Sequence, residues 1–515
     1  MKRIQQLSIL LLLISFCSCK KVIDTVPLST LSTVTYYSNV AEMKAALTGC
    51  YNGLQKPMNV EWQLTELRTD NSKQGSPGST ASTNRDLSDL DMFTPSTSHQ
   101  TIYNYWLYSY NNIRNCNIVL QKSGVIYDAA AGINNFTAVP IPTTDAERKQ
   151  IAGEALFIRA YHYFNLVRLY GGVFLVHTPI TAVEAKTMNR VDEASIYKFI
   201  EADLKAAIAN TSALKFNQIA ATDLGHANAW AAKGLLAKVY LTLNRKTEAA
   251  TLLQDIISNS GYGLQSTYAN VFAITNEMNS EIIFAVRYKS GGLGLGGHFA
   301  NTFAPLGSGS AVINGDGDGL NYPTNDIDTA TNGDIRKATI MAVYGTGTAA
   351  KLYVKKFFSP VVITDDAEND WPVLRYADIL LMMAEAQGYS PSSIDYINSV
   401  RPRAGLPLYT VTNITNVTQF ELALSNERRI EFAFENQRWF DMVRFNSTLT
   451  TLTSEQIMKD HFTDEFFNHY RLYVAPAPIL AELYAQTKRP RMLLPIPQRE
   501  IDTNTGLVIS QNPGY

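Results

Sequence analysis

Apolar positions spaced three and four residues apart recur along most of the chain and predict a mainly α protein. The run AEMKAALTGCYNGL, within residues 40–54, has this period, as does Tyr103 to Gln121. In the latter, Trp106, Tyr110, Ile113 and Asn117 fall on one stripe, which we read as a buried face, with an aromatic binding patch as the alternative. Thr144 followed by Glu147 reads as a capping box that opens a long helix stopped by Gly171 and Gly172. Further amphipathic segments run over Val191 to Asn210, Asn228 to Leu243 and Thr247 to Ser258. Ser280 to Tyr288 carries the pattern of a strand. Two stretches break the periodicity. Glu66 to Gln100 and His298 to Gly319 are rich in small polar residues, Gly and Pro, and predict long surface loops.

Charge enters this pattern most densely between Glu427 and Phe445. As one helix, with Thr418 and Glu421 at its cap, the segment would stack Glu427, Glu431 and Glu435 on a single face. Three carboxylates in a row invite an acid–base reading. Arg428, Arg438 and Arg444 lie within reach, however, so we read the acids as neutralised partners that hold a buried helix in register. Arg401 and Arg403 are expected to answer acids on neighbouring helices, the Glu427 face among them.

Composition narrows the function classes. The chain has 515 residues, enough for two or three domains, and 44 basic residues against 46 acidic ones. That balance argues against nucleic acid and against a polybasic membrane patch. With four Cys and seven His a metal cluster is not expected, and neither metal nor cofactor is assigned. Aromatics are abundant, at 27 Tyr, 22 Phe and 5 Trp, and such rings suit sugar faces and protein interfaces alike.

The first residues change the picture further. Lys2 and Arg3 precede a short apolar run, Leu7 to Phe16, that is too short to span a bilayer and reads as a secretion signal over residues 1–18. Ser18 then Cys19 suggests that Cys19 carries lipid, ordinary cleavage with a free cysteine being the alternative. Cys50 and Cys116 would remain, as two buried free thiols rather than a bridge. Two further motifs are weak. Gly292, Gly294 and Gly297 have dinucleotide-site spacing but no helix follows, so a flexible loop is expected. Asn314 to Gly319 resembles half of an EF-hand loop, yet Asn325 stands where a bidentate Glu belongs, and a Gly-rich turn with solvated acids is the reading.

Several of these segments together resemble the SusD/RagB family of nutrient-binding outer-membrane lipoproteins of the Bacteroidetes. ERRIEFAFENQRWFDMVRF (427–445), WPVLRYADILLMMAEAQ (371–387), INSVRPRAGL (397–406), LLPIPQREI (493–501) and QNPGY (511–515) are similar to its C-terminal signatures. EALFIRAYHYFNLVRLYGG (154–172) is similar to an N-terminal one, and only the turn at Asn504 to Leu507 departs by lacking a proline. Small and large residues also alternate in pairs of about 34 residues, similar to tetratricopeptide repeats. The resemblance implies a mainly α, SusD-like fold of about four tetratricopeptide-like helix pairs plus an irregular subdomain with short strands. Regions 19–270 and 271–515 would form one intertwined unit. It implies no catalysis, only a lipid-anchored binder on the outside of the cell outer membrane. Such a binder would capture a glycan and pass it to a SusC-like TonB-dependent transporter. A RagB-type peptide binder, a secreted glycoside hydrolase and a protein-binding scaffold are the alternatives. Ligand contacts are expected in two patches of aromatic and polar residues outside the periodic helices. One is Trp62 with Arg68, Asp70 and Asn71; the other is Tyr288, His298 and Tyr322. Core burial is the competing expectation for Trp62 and Tyr288.

Overall fold

The computed structural model describes residues 37–515 apart from 78, 80, 474–476 and 505. The leader over 1–18 and the lipidation assigned to Cys19 lie outside the described residues. Helices follow the three-and-four spacing. They are α1 (Val40–Asn52), α2 (Gln55–Thr65), α3 (Ser82–Asp91), α4 (Gln100–Lys122), α5 (Asp145–Tyr170), α6 (Glu193–Asn210), α7 (Ala229–Thr242) and α8 (Lys246–Asn259). Beyond residue 370 come α9 (Tyr376–Gln387), α10 (Pro391–Asn398), α11 (Val417–Glu431), α12 (Arg438–Thr448) and α13 (Ser454–Glu465).

From α4 to α10 each of these helices packs on the next, which gives the mainly α architecture its repeating character. Helix α5 is the spine and is buried along most of its length. Thr144 caps it by accepting from the Glu147 N–H, while the Glu147 carboxylate turns to Lys44 and Thr143 instead of closing the box. Gly171, at φ 72°, ends it, a conformation that L side chains rarely adopt.

Strands are short and antiparallel, paired two by two among the described residues: β1 (Ser72–Lys73) with β5 (Tyr322–Pro323), β2 (Val125–Asp128) with β3 (Ile133–Phe136), β4 (Ile282–Val286) with β8 (Trp371–Arg375), and β6 (Met341–Tyr344) with β7 (Lys351–Val354). Strand β4 is buried on both faces, as its unbroken IIFAV run requires. The β1–β5 and β4–β8 pairs stitch distant parts of the chain together.

Three local expectations are corrected. The stretch 66–100 is not one surface loop, because α3 lies inside it and Leu67 to Ser72 are buried. Residues 427–445 are not one helix: α11 stops at Glu431, and Phe434 (φ 62°) and Asn436 (φ 61°) make a left-handed turn before α12 begins. The cap of α11 is Asn416, whose side chain accepts from the Gln419 N–H, rather than Thr418. Cys50 and Cys116 are both buried and unbridged.

Candidate functional site

The residues that most resemble a catalytic group are structural. Glu431 is fully buried and accepts from Arg403 (2.6 Å), Arg375 (2.9 Å) and Arg336 (2.9 Å). Arg336 also holds Glu427 and Asp334, Arg401 holds Glu427, and Arg375 holds Glu281 and Glu435. The turn after α11 therefore keeps Glu435 in the same cluster although it is off the helix. Burial alone would raise the Glu431 pKa, but the three guanidinium groups hold it well below the usual carboxylate range. Neutralised, buried carboxylates of this kind cannot serve as a solvent-facing acid–base pair.

The same network absorbs much of the first expected ligand patch. Asp70 takes a bidentate contact from Arg438 (2.8 and 2.7 Å), and Asn71 accepts from Arg429 at 2.7 Å. Burial pushes the Asp70 pKa up, but Arg429 and Arg438 outweigh it and leave the carboxyl ionised far into acid. Arg68 is buried with its guanidinium 3.9 Å from the Trp439 ring centroid and 5.0 Å from that of Phe93. Trp62, 1 % exposed, meets Phe303 edge-on at 5.4 Å.

The second patch folds inward as well. Tyr288 is buried, packs on Phe299 at 5.6 Å and donates its hydroxyl to Asn59 at 2.7 Å. Tyr322 is 8 % exposed, paired with Lys73 across β1–β5 and enclosed by glycines. A Cβ on Gly75 would sit 2.2 Å from its ring, so only glycine fits there. As the protein stands, Trp62, Arg68, Asp70, Asn71 and Tyr322 are buried packing and ion-pair residues, whereas Tyr288, buried too, lines the open cleft beside this seam. His298 alone is exposed, at the N-cap of the short helix Phe299–Phe303. The two patches do meet. Trp62 and Tyr288 flank that short helix, and β1–β5 brings Asn71 beside Pro323 and Thr324, so together they build the seam between the early helices and the irregular region. The helix at 299–303 lies within the segment read as a loop, which is why the seam went unseen.

An open cleft of about 530 Å³ borders this seam. One wall is the α1–α2 junction, with Thr48, Gly49, Tyr51, Asn52 and Gln55. The loop before α7 supplies His226, and the continuation of β4 supplies Arg287, Lys289 and Leu295. Gln55 donates to the carbonyls of Arg287 (2.8 Å) and Leu295 (3.2 Å), which locks the Gly-rich loop against α2. At one end the Tyr51 and His226 rings meet edge-on at 5.2 Å. Both are tied to Glu154, by the Tyr51 hydroxyl at 2.6 Å and His226 Nδ1 at 2.7 Å, and Gln150 donates to its other oxygen. The hydrogen bond to Glu154 raises the His226 pKa above its ordinary value. Beside Gly225, where an added Cβ would meet its guanidinium at 3.2 Å, Arg287 bridges Asp370 (2.5 Å) and Glu277 (3.2 Å), and Lys289 pairs with Glu368. The result is a concave surface with an aromatic pair and fixed polar groups, suited to an uncharged polyhydroxyl ligand. Sequence reasoning missed it because Tyr51, His226 and Arg287 come from three distant segments. Among the described residues no group of three or more His, Cys, Asp or Glu is placed to hold a metal.

A packed series of helices with an irregular, strand-poor region centred on arginine–carboxylate pairs defines a SusD-like helical fold. The SusD family model matches residues 280–515, and one described as "Starch-binding associating with outer membrane" matches 24–241. A SusD-like protein of Formosa agariphila is 25% identical, with 100% of each chain covered. A solved laminarin-binding SusD-like protein superposes with a TM-score of 0.73 at 23% identity, covering 93% of this chain and 100% of its own. A SusD homologue from Bacteroides thetaiotaomicron gives 0.74 at 20% identity, with 94% and 98% covered. The chain belongs to the SusD/RagB family. Among the described residues no helix is long and apolar enough to cross a membrane.

Proposed function

We propose that this protein is a surface glycan-binding protein whose ligand lies in the cleft between Tyr51–His226 and Arg287. The observation that carries the reading is that cleft: an aromatic pair for the apolar face of a sugar ring, with Asn52, Thr48 and Arg287 on its walls for the hydroxyls. The fold shared with a laminarin binder supports the ligand class. Nearby acids are engaged by Arg287 and Lys289, so the cleft binds its glycan without cleaving it. Release would then be inward, to a SusC-like TonB-dependent transporter in the same membrane.

Gly49 offers a direct test, since it lines the cleft and a Cβ there meets nothing within 4 Å. Gly49→Trp fills the cleft without crowding the helix. With laminarin and starch oligosaccharides as ligands, calorimetry should show at least a tenfold loss for Gly49→Trp and for Arg287→Ala, about 1.4 kcal/mol. Recovered oligosaccharide should be intact. Unchanged affinity in both variants rules out this cleft, and shortened oligosaccharide rules out a pure binder.

Anchorage is part of the same proposal. Cys19→Ala should move the protein from the membrane fraction to the soluble fraction and abolish palmitate labelling, with the melting temperature unchanged. A variant that still partitions into detergent sinks the lipoprotein reading.

A further inference from the structure

A second cleft, of about 390 Å³, runs along α4 and differs in chemistry. Its floor is aromatic: Trp106, Tyr110 and Phe174, with Tyr110 spending its hydroxyl on the Phe174 carbonyl at 2.7 Å. Its sides combine aliphatic Val176, Ile180 and Met188 with Thr178, Thr503 and Asn504. Over it lies a one-turn helix, Ala182–Ala185, none of whose residues is buried; Val183 is 75% exposed. A capping box between Thr181 and Glu184 holds that turn in shape, so a preformed flap stands over an apolar trough.

The charges at the rim are unspent. Arg114 and Lys186 line the cleft, are exposed, and pair with no carboxylate among the described residues. Glu500 is half-buried at the same cleft, and its burial raises its pKa. Arg499 stacks on Tyr103 at 5.2 Å, and the Glu500 carboxylate lies near Tyr110, whose pKa is raised by burial and then by the charges of Tyr163 and Glu500. Arg114 lies eight residues beyond Trp106, about 12 Å along the helix. Arg114 and Lys186 attract an anionic head group beyond the aromatic floor.

We propose that this cleft binds an unbranched aliphatic carboxylate, its tail on the Trp106–Tyr110–Phe174 floor and its head group paired with Arg114 and Lys186. The inference is independent of the glycan reading, because it concerns other residues and another ligand class. Calorimetry of the full chain with sodium decanoate below its micelle concentration, and with decanol as the neutral counterpart, tests it. The unaltered chain should bind one decanoate. Ala185→Trp, on the exposed flap, should abolish binding of both probes. Arg114→Glu should weaken decanoate at least tenfold and leave decanol unchanged, with the circular dichroism and melting temperature of both variants preserved. No decanoate binding, equal binding in Ala185→Trp, or equal losses for the two probes in Arg114→Glu would each overturn it.

Discussion

Replacing Glu431 with alanine should lower the unfolding free energy by about 3–5 kcal/mol, the range measured when one partner of a buried ion pair is removed. The carboxylate meets Arg336, Arg375 and Arg403 at 2.6–2.9 Å in a fully buried site. Arg375 and Arg403 retain Glu281, and Arg336 retains Asp334 and Glu427, so the cluster does not lose every acid. What it loses is the one carboxylate shared by all three, and three buried guanidinium groups keep their charge with one acceptor fewer each. Glu431→Gln keeps the shape but replaces one acceptor oxygen with a donor that faces an arginine, so it should be nearly as costly. Urea unfolding monitored by tryptophan fluorescence reads the change as a shift in midpoint at constant slope. Oligosaccharide affinity measured well below the melting temperature should stay unchanged. A loss under about 1 kcal/mol would mean that the ion pairs contribute little net stability. A folded variant that no longer binds glycan would move the ligand site to this helix.

That network was the most legible part of the sequence. Acids at every fourth position with arginines nearby have few physical solutions, and Arg401 and Arg403 do answer Glu427 and Glu431. Helices with long, strict periodicity were equally readable, α4 and α5 above all, because their apolar stripes have to be buried somewhere. Left-handed residues were not: nothing in Phe-Glu-Asn announces that Phe434 and Asn436 break the helix, since the turn is imposed by the neighbours that Glu435 must reach.

The expected ligand residues are a different case. Residue chemistry marks which side chains could contact a sugar, but the same chemistry makes good packing. Trp62, Tyr288 and Tyr322 proved to be seam residues because the short helix Phe299–Phe303 and strand β5 cover them. Exposure is a property of the assembled molecule. The Trp106–Tyr110 stripe shows both outcomes at once, since Trp106 is buried yet its ring and that of half-buried Tyr110 form a cleft floor. The Tyr51–His226 pair has no sequence signal, because its two members come from distant segments and meet, edge-on and on Glu154, only in the folded chain.

Stability should be greatest in acidic solution, near pH 5, and should fall on both sides. The acid limb comes from carboxylates whose folded pKa lies below the unfolded value. These are Asp70, Asp378, Asp441 and Glu431, all buried; burial opposes their ionisation, but the arginines and Lys238 around them outweigh it. Their contribution is present above about pH 4 and is lost as pH falls through the folded values. His162, depressed to about 3 by burial, and His461, also lowered by burial, add to this limb, because each must take up a proton on unfolding below about pH 6.5. The alkaline limb has the opposite sign. Burial raises Glu66 to about 8, Glu61 to about 7 and Asp370 to about 7. Glu66 keeps one oxygen on the Asn436 N–H at 2.5 Å while the other has no partner, so the neutral acid suits its site. For these three groups the stabilising contribution is complete below about pH 4 and disappears as pH rises through 7–8, at about 1.4 kcal/mol per unit for each group. Between pH 5 and 6.5 the histidines partly offset that loss; above it they no longer do, until Lys356, lowered to about 8 by burial, begins to restore stability in more alkaline solution. The melting temperature should therefore drop between pH 6.5 and 8, and Glu66→Gln should flatten that slope. A melting temperature as high at pH 8 as at 6.5, or a slope untouched by Glu66→Gln, would show that these buried acids are not the groups that titrate.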